Sequence, residues 1–138
     1  MAMQLHTYLN YGGNCEDAFR FYEQQLGGKI IMLMRHGEQP VPTPLPAAWN
    51  GKVLHARIEL GGTLLLGADI PPDRFKPIRS AYLSLTLDTA AEAERVYQLL
   101  TDGGEVFMPM NETFFAERFA MLRDRFGTSW MLVGAQRS

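Results

Sequence analysis

Leu83, Leu85 and Leu87 alternate with Tyr82, Ser84 and Thr86, the two-residue period of a strand with one apolar face. The period then changes. Ala93, Val96, Tyr97 and Leu100 fall at helical spacing, which predicts a helix over residues 90–102 whose apolar stripe covers the leucines. Gly103-Gly104 ends it, and Glu105 to Met110 returns to an extended pattern. The same succession occurs near the start of the chain. Ala18 and Tyr22 lie 75 positions before Ala93 and Tyr97; with one residue of slippage, Gly27-Gly28, Met32 and Met34 match Gly103-Gly104, Met108 and Met110. An internal repeat of this kind governs the whole fold.

The first copy reads Leu5 to Tyr11 as a strand, with Leu5, Thr7 and Leu9 on one face and His6, Tyr8 and Asn10 on the other. A helix over residues 14–26 follows, with Asn14 as its cap and Cys15, Ala18, Phe19, Tyr22 and Leu26 as its stripe. Lys29 to Arg35 is a strand. Val53 to Leu60 and Thr63 to Ala68 form a hairpin about Gly61-Gly62. Between them, Gly37 to Lys52 carries Pro40, Pro42, Pro44, Pro46 and Trp49; prolines at every second position cannot donate to a ladder, so this is a loop. A loop that long serves either as a lid or as a plain excursion or dimer contact. The second copy ends with strands over residues 105–110, 118–123 and 128–133.

Each half is thus strand-helix-strand-strand-strand, an α+β arrangement. Residues 1–70 and 80–138 are expected as two βαβββ modules of a single domain, joined by the linker 70–79, with their sheets forming an incomplete barrel and the helices outside. The composition is that of an ordinary globular chain: 46% of residues are hydrophobic and 20% charged. A net charge of −2 with both signs interspersed gives no footprint for nucleic acid or a membrane surface. No apolar run approaches the roughly 18 residues of a membrane span. Met1 to Leu5 carries no basic segment leading into an apolar one, so a cytoplasmic protein is expected. The single Cys15 excludes an internal disulfide and any multi-thiolate metal site.

The order βαβββ-βαβββ resembles the vicinal oxygen chelate superfamily of glyoxalase I, bleomycin-resistance proteins and extradiol dioxygenases. The PhnB-like branch is the closer likeness. It is carried by Tyr8-Leu9-Asn10-Tyr11-Gly12-Gly13-Asn14-Cys15-Glu16-Asp17-Ala18, Phe21-Tyr22, His55-Ala56, Gly67-Ala68-Asp69, Glu112-Thr113-Phe114-Phe115 and Asp124-Arg125-Phe126-Gly127-Thr128-Ser129-Trp130-Met131. The resemblance implies a homodimer. Some members of the branch carry a methyltransferase label, but this chain has no glycine-rich turn after the first strand of a parallel sheet that would mark a nucleotide methyl donor.

The resemblance also implies a divalent metal held by His, Gln or Glu side chains on inward strand faces, where it would polarise substrate oxygens. Carried over position by position, the four ligand places fall on His6, close to Leu66, on Tyr82 and on Met131. Leu and Met do not hold a hard or borderline cation and neutral Tyr holds one poorly, so the standard site is expected to be absent and no cofactor is assigned. His6 and His55 each have two readings: a structural histidine, or a residual ligand or general base near neutral pH. A substitute metal site from His6, His55 and Glu59 or Asp69 is the alternative. Cys15 lies at a helix start but within the apolar stripe, which reads as packing.

Tyr8, Met32, Met34, Trp49, Tyr82, Met108, Phe114 and Phe115 are candidates to line a cleft for a flat organic ligand, or else to fill a core or dimer interface. Two functions follow. One is binding of a small organic molecule without metal, with His6, Tyr8, Met32, Trp49, His55, Tyr82, Phe114 and Phe115 as its contacts. The other is a metal-dependent lyase, isomerase or dioxygenase with a non-standard ligand set that includes His6.

Overall fold

The repeat is a repeat of structure. In the computed structural model, which describes residues 3–38 and 46–137, contacts divide the chain at Lys76/Pro77 into two units. The first contains β1 (Thr7–Tyr11), α1 (Cys15–Leu26), β2 (Lys29–Arg35), β3 (Val53–Leu60) and β4 (Thr63–Asp69). The second contains β5 (Leu83–Leu87), α2 (Ala90–Thr101), β6 (Glu105–Asn111), β7 (Ala116–Arg123) and β8 (Ser129–Gln136). Each unit is a four-stranded mixed sheet with one helix against one face. The strand orders, β1-β4-β3-β2 and β5-β8-β7-β6, are the same, and in each only the first pair is parallel. This is the expected α+β pair of βαβββ modules.

In the first unit the helix-covered face carries Leu9, Tyr11, Ala56, Ile58 and Leu65, all buried, beneath Cys15, Ala18, Phe19 and Tyr22 of α1. α1 stops at Gly27, whose φ of 75° is left-handed backbone that glycine adopts without steric cost. Gly61 and Gly62, with φ of 60° and 79°, form the two-residue hairpin turn expected of them. The start of α1 is held differently from the sequence expectation. Asn14 occupies the cap position, but its side chain makes no capping bond. The carboxylate of Asp69, at the end of β4, accepts instead the N–H groups of Gly13 (3.1 Å) and Cys15 (2.9 Å), while its other oxygen accepts that of Val53 (2.9 Å).

The second unit follows the same plan with Leu122, Trp130 and Leu132 beneath Ala93, Val96 and Leu100. Thr89 caps α2 by accepting the N–H of Glu92 at 3.1 Å. Tyr97 departs from its counterpart: Tyr22 is fully buried, whereas Tyr97 lies at the edge of the stripe and is only half-buried. Two glycines set the helix–sheet spacing. A Cβ at Gly67 would come within 2.6 Å of the Phe19 ring, and one at Gly134 would collide with the Ala93 methyl.

Boundaries shift modestly. β1 begins at Thr7 and not at Leu5, β7 begins two residues earlier than expected, and β8 continues to Gln136. Of the proline loop, Pro40, Pro42 and Pro44 lie outside the described residues. Its stem is closed by His36 and Lys52, since the His36 N–H donates to the Lys52 carbonyl at 2.8 Å. Among the described residues, no helix is long and apolar enough to cross a membrane.

Candidate functional site

Because one face of each sheet is taken by a helix, the chemistry lies on the other. In the first unit alternation places Tyr8, Asn10, His55, Arg57 and Glu59 on that open face. Register sets Tyr8 beside Leu66, Met32 beside Arg57 and Met34 beside His55. Tyr8 reaches across β4 to His55, and the two rings stack with centroids 5.9 Å apart and planes 28° from parallel. Arg57 Nε donates to His55 Nε2 at 3.4 Å, which requires a neutral ring with its proton on Nδ1.

The electrostatics agree with that protonation. Partial burial, and then the neighbouring Arg57 charge, lower the His55 pKa below the ordinary histidine value. Burial raises the Tyr8 pKa. At neutral pH the pair therefore offers two uncharged aromatic rings, one N–H and one hydroxyl, beside a single guanidinium. Such a surface stacks a planar molecule and hydrogen-bonds its polar edge. A shallow groove of about 430 Å³, lined by Gly27, Lys29, Ile31 and the Gly61-Gly62 turn, lies at the opposite end of β3 from His55.

The open face of the second unit is more apolar. Met131 pairs with Met121 and Met121 with Met108, a row of three thioethers across β8, β7 and β6. Phe119 and Val133 form a buried cluster with Ala116, against which Phe115 packs. The Phe115 ring stands edge-on to both Phe119 (5.0 Å) and Phe114 (5.2 Å), while Phe114 itself is 90% exposed. Tyr82, just before β5, meets Phe107 edge-on at 6.2 Å.

Of the residues singled out by sequence, Tyr8 and His55 are brought together, as are Phe114 and Phe115. His6 is exposed ahead of β1 and lies outside the stacked pair. Trp49 sits in a short 3₁₀ turn after the proline loop, half-buried, with its indole N–H enclosed and, among the described residues, without an acceptor. Cys15 is fully buried, and burial followed by the Asp69 and Glu16 charges pushes its thiol far above the ordinary range; this is packing, not a nucleophile.

The residues at the inherited metal positions do not fit a cation. Leu66 and Met131 are not ligands for a hard or borderline metal, and register offsets even the nominal pairs by two residues: Tyr8, not His6, faces Leu66, and Ser84, not Tyr82, faces Met131. The substitute set also fails to converge. His55 and Glu59 stand four residues apart on one strand, roughly 13 Å. Asp69 faces α1, away from both. Among the described residues no three His, Cys, Asp or Glu side chains gather as a metal group.

Sequence reasoning passed over Arg57 and Phe107 as site-forming residues, and offered Asp69 as a metal ligand where the structure makes it the cap of α1. Arg57 was legible as a neighbour of His55 on one strand face. Phe107 was not, because β6 breaks register between Val106 and Met108, and a bulge re-aims the side chain it contains.

Residues 3–133 match the sequence model of a family described as 3-demethylubiquinone-9 3-methyltransferase. Among solved structures, the chain is similar to protein PA1353 from Pseudomonas aeruginosa, with 39% identity over 99% of this chain and 100% of that one and a TM-score of 0.84. It is also similar to the PhnB protein from Bacillus cereus, with 27% identity over 96% and 100% of the two chains and a TM-score of 0.82. A glyoxylase/bleomycin resistance protein/dioxygenase domain from Frankia sp. EAN1pec shares the fold, at 16% identity over 100% and 94% and a TM-score of 0.66. The chain therefore belongs to the 3-demethylubiquinone-9 3-methyltransferase family, PhnB-like in sequence and built on the glyoxalase/bleomycin-resistance fold.

Proposed function

We propose that this protein binds a small, planar organic molecule on the open face of its first sheet, over the stacked Tyr8 and His55 rings, without the superfamily's usual metal. The observation that carries this reading is the stacked Tyr8–His55 pair with Arg57 fixing the imidazole tautomer. Met32 and Met34, across from Arg57 and His55, supply adaptable thioether contacts. His6, Trp49, Tyr82, Phe114 and Phe115 are secondary candidates for contacts in the same reading. The family description names a methyltransferase. Each sheet here contains one parallel pair and not the doubly wound parallel sheet on which a nucleotide-like cofactor rests, so the reading is binding and not methyl transfer. The superfamily resemblance supports a homodimer, and a cytoplasmic setting accords with the single buried free thiol.

The test is a thermal-shift screen of planar aromatic compounds in the presence of EDTA, on the parent and on Tyr8→Ala and His55→Ala. Compounds that raise the parent Tm are expected to do so with EDTA present and to lose the effect in both variants. Stabilisation that EDTA abolishes would instead support a metal-dependent lyase, isomerase or dioxygenase.

A further inference from the structure

Phe107 of the second unit is approached by two cations. The Arg79 guanidinium carbon lies 4.7 Å from its ring centroid and that of Arg123 5.3 Å. This is a built arrangement. Arg123 Nη2 and Ser129 Oγ both donate to the Ile78 carbonyl, at 2.9 and 2.8 Å, which pins the chain one residue before Arg79 and so presents Arg79 to the ring. The bulge between Val106 and Met108 turns Phe107 to meet it, and Tyr82 closes a further side.

The charges are not balanced. Among the described residues Arg123 pairs with one carboxylate, Glu105, at 3.7 Å and with a side chain 63% exposed, which is an ion pair too long for a hydrogen bond. Its Nε is enclosed and, among the described residues, has no acceptor. Arg79 is exposed and, among the described residues, has no carboxylate beside it. Two guanidiniums held against one ring with a single loose counter-charge favour an incoming anion, since their mutual repulsion falls when one binds. Beside this cationic row runs the apolar one: Met121 lies two residues before Arg123 on the same face of β7, flanked by Met108 and Met131.

We infer that this face is a binding site for a small organic anion, a carboxylate or phosphate on an aromatic body. The acidic group engages Arg79 and Arg123, and the ring lies over the methionine row. Guanidinium forks match carboxylate and phosphate oxygens in pairs, and thioethers accept flat apolar surfaces of varied outline. The site is built within the second unit from residues other than Tyr8 and His55.

The test titrates the isotope-labelled full chain with benzoate, phenyl phosphate and the neutral isostere benzamide while observing the arginine Nε–Hε and Tyr82 ring resonances. Benzoate and phenyl phosphate are expected to shift the Arg79, Arg123 and Tyr82 signals with saturation at about 1–10 mM, and benzamide to leave them in place. Arg79→Ala, a change at an exposed side chain, is expected to keep the folded spectrum and to weaken benzoate about tenfold. Tyr8→Ala should leave benzoate binding as it was, which separates this site from the first. Equal binding of benzamide, unchanged affinity in Arg79→Ala, or the absence of saturable shifts would overturn the inference.

Discussion

Asp69 accepts the backbone N–H of Cys15 at 2.9 Å across 54 residues of sequence, so the last residue of β4 caps the first turn of α1. The same carboxylate ties Gly13 and Val53. Removing it strands buried donors, each costing about 1–3 kcal/mol. Asp69→Ala is therefore expected to lower unfolding stability by about 3–5 kcal/mol in urea titration, and Asp69→Asn by less, because the amide oxygen still accepts. A loss of under about 1 kcal/mol for Asp69→Ala would refute the capping role.

Gly134 lies directly beneath Ala93, and neither side of that contact has a torsion with which to yield. Gly134→Ala should overpack the α2–sheet interface and cost about 1–3 kcal/mol. The double variant Gly134→Ala with Ala93→Gly should recover part of the loss beyond additivity, measured as a double-mutant cycle. Strict additivity would place the cost elsewhere.

The two repeat-equivalent tyrosines should not behave alike. Tyr22, fully buried among Phe19 and Phe21, should cost about 3–5 kcal/mol when truncated to alanine. Tyr97 is half-buried and should cost markedly less, about 1–2 kcal/mol. Urea unfolding of the two variants side by side decides it; equal losses would contradict the difference in burial.

That asymmetry shows where a sequence stops being informative. The repeat from Ala18 to Met34 and from Ala93 to Met110 revealed both modules, because periodicity and paired glycines are local signals, and even the register breaks recur, at Ile30/Met32 and Val106/Met108. The alternation that set Tyr8 and Asn10 opposite Leu9 likewise announced a polar face, and His55 stood out as a candidate contact. What joins these residues was hidden, since Tyr8 meets His55 only across β4, a pairing of distant segments. Asn14 looked like the cap, but Asp69, fixed by the β1–β4 register, holds the position. Gly67 and Gly134 were ordinary strand glycines until a helix was laid over them.

His55 provides a pH handle on the open face. Its pKa is lowered in the folded chain, first by burial and then by Arg57, so the folded state prefers the neutral ring. Stability from this source is present above the unfolded histidine pKa, about 6.5, and is lost as pH falls through the depressed folded value. NMR titration of the imidazole should find a midpoint below about 6.5, and Arg57→Ala should move it upward. A midpoint above the ordinary value would contradict the Arg57 Nε–His55 Nε2 hydrogen bond.

The most direct measurement of the central claim is to map bound fragments by ¹H–¹⁵N and methyl NMR on the metal-free protein, using the aromatic compounds that raise its Tm. The account predicts that their perturbations in the first unit concentrate on Tyr8, Asn10, Met32, Met34 and His55, with the His55 ring resonances moving most. Perturbations confined to the α1 face or to the groove at Gly61-Gly62, with Tyr8 and His55 unmoved, would contradict it.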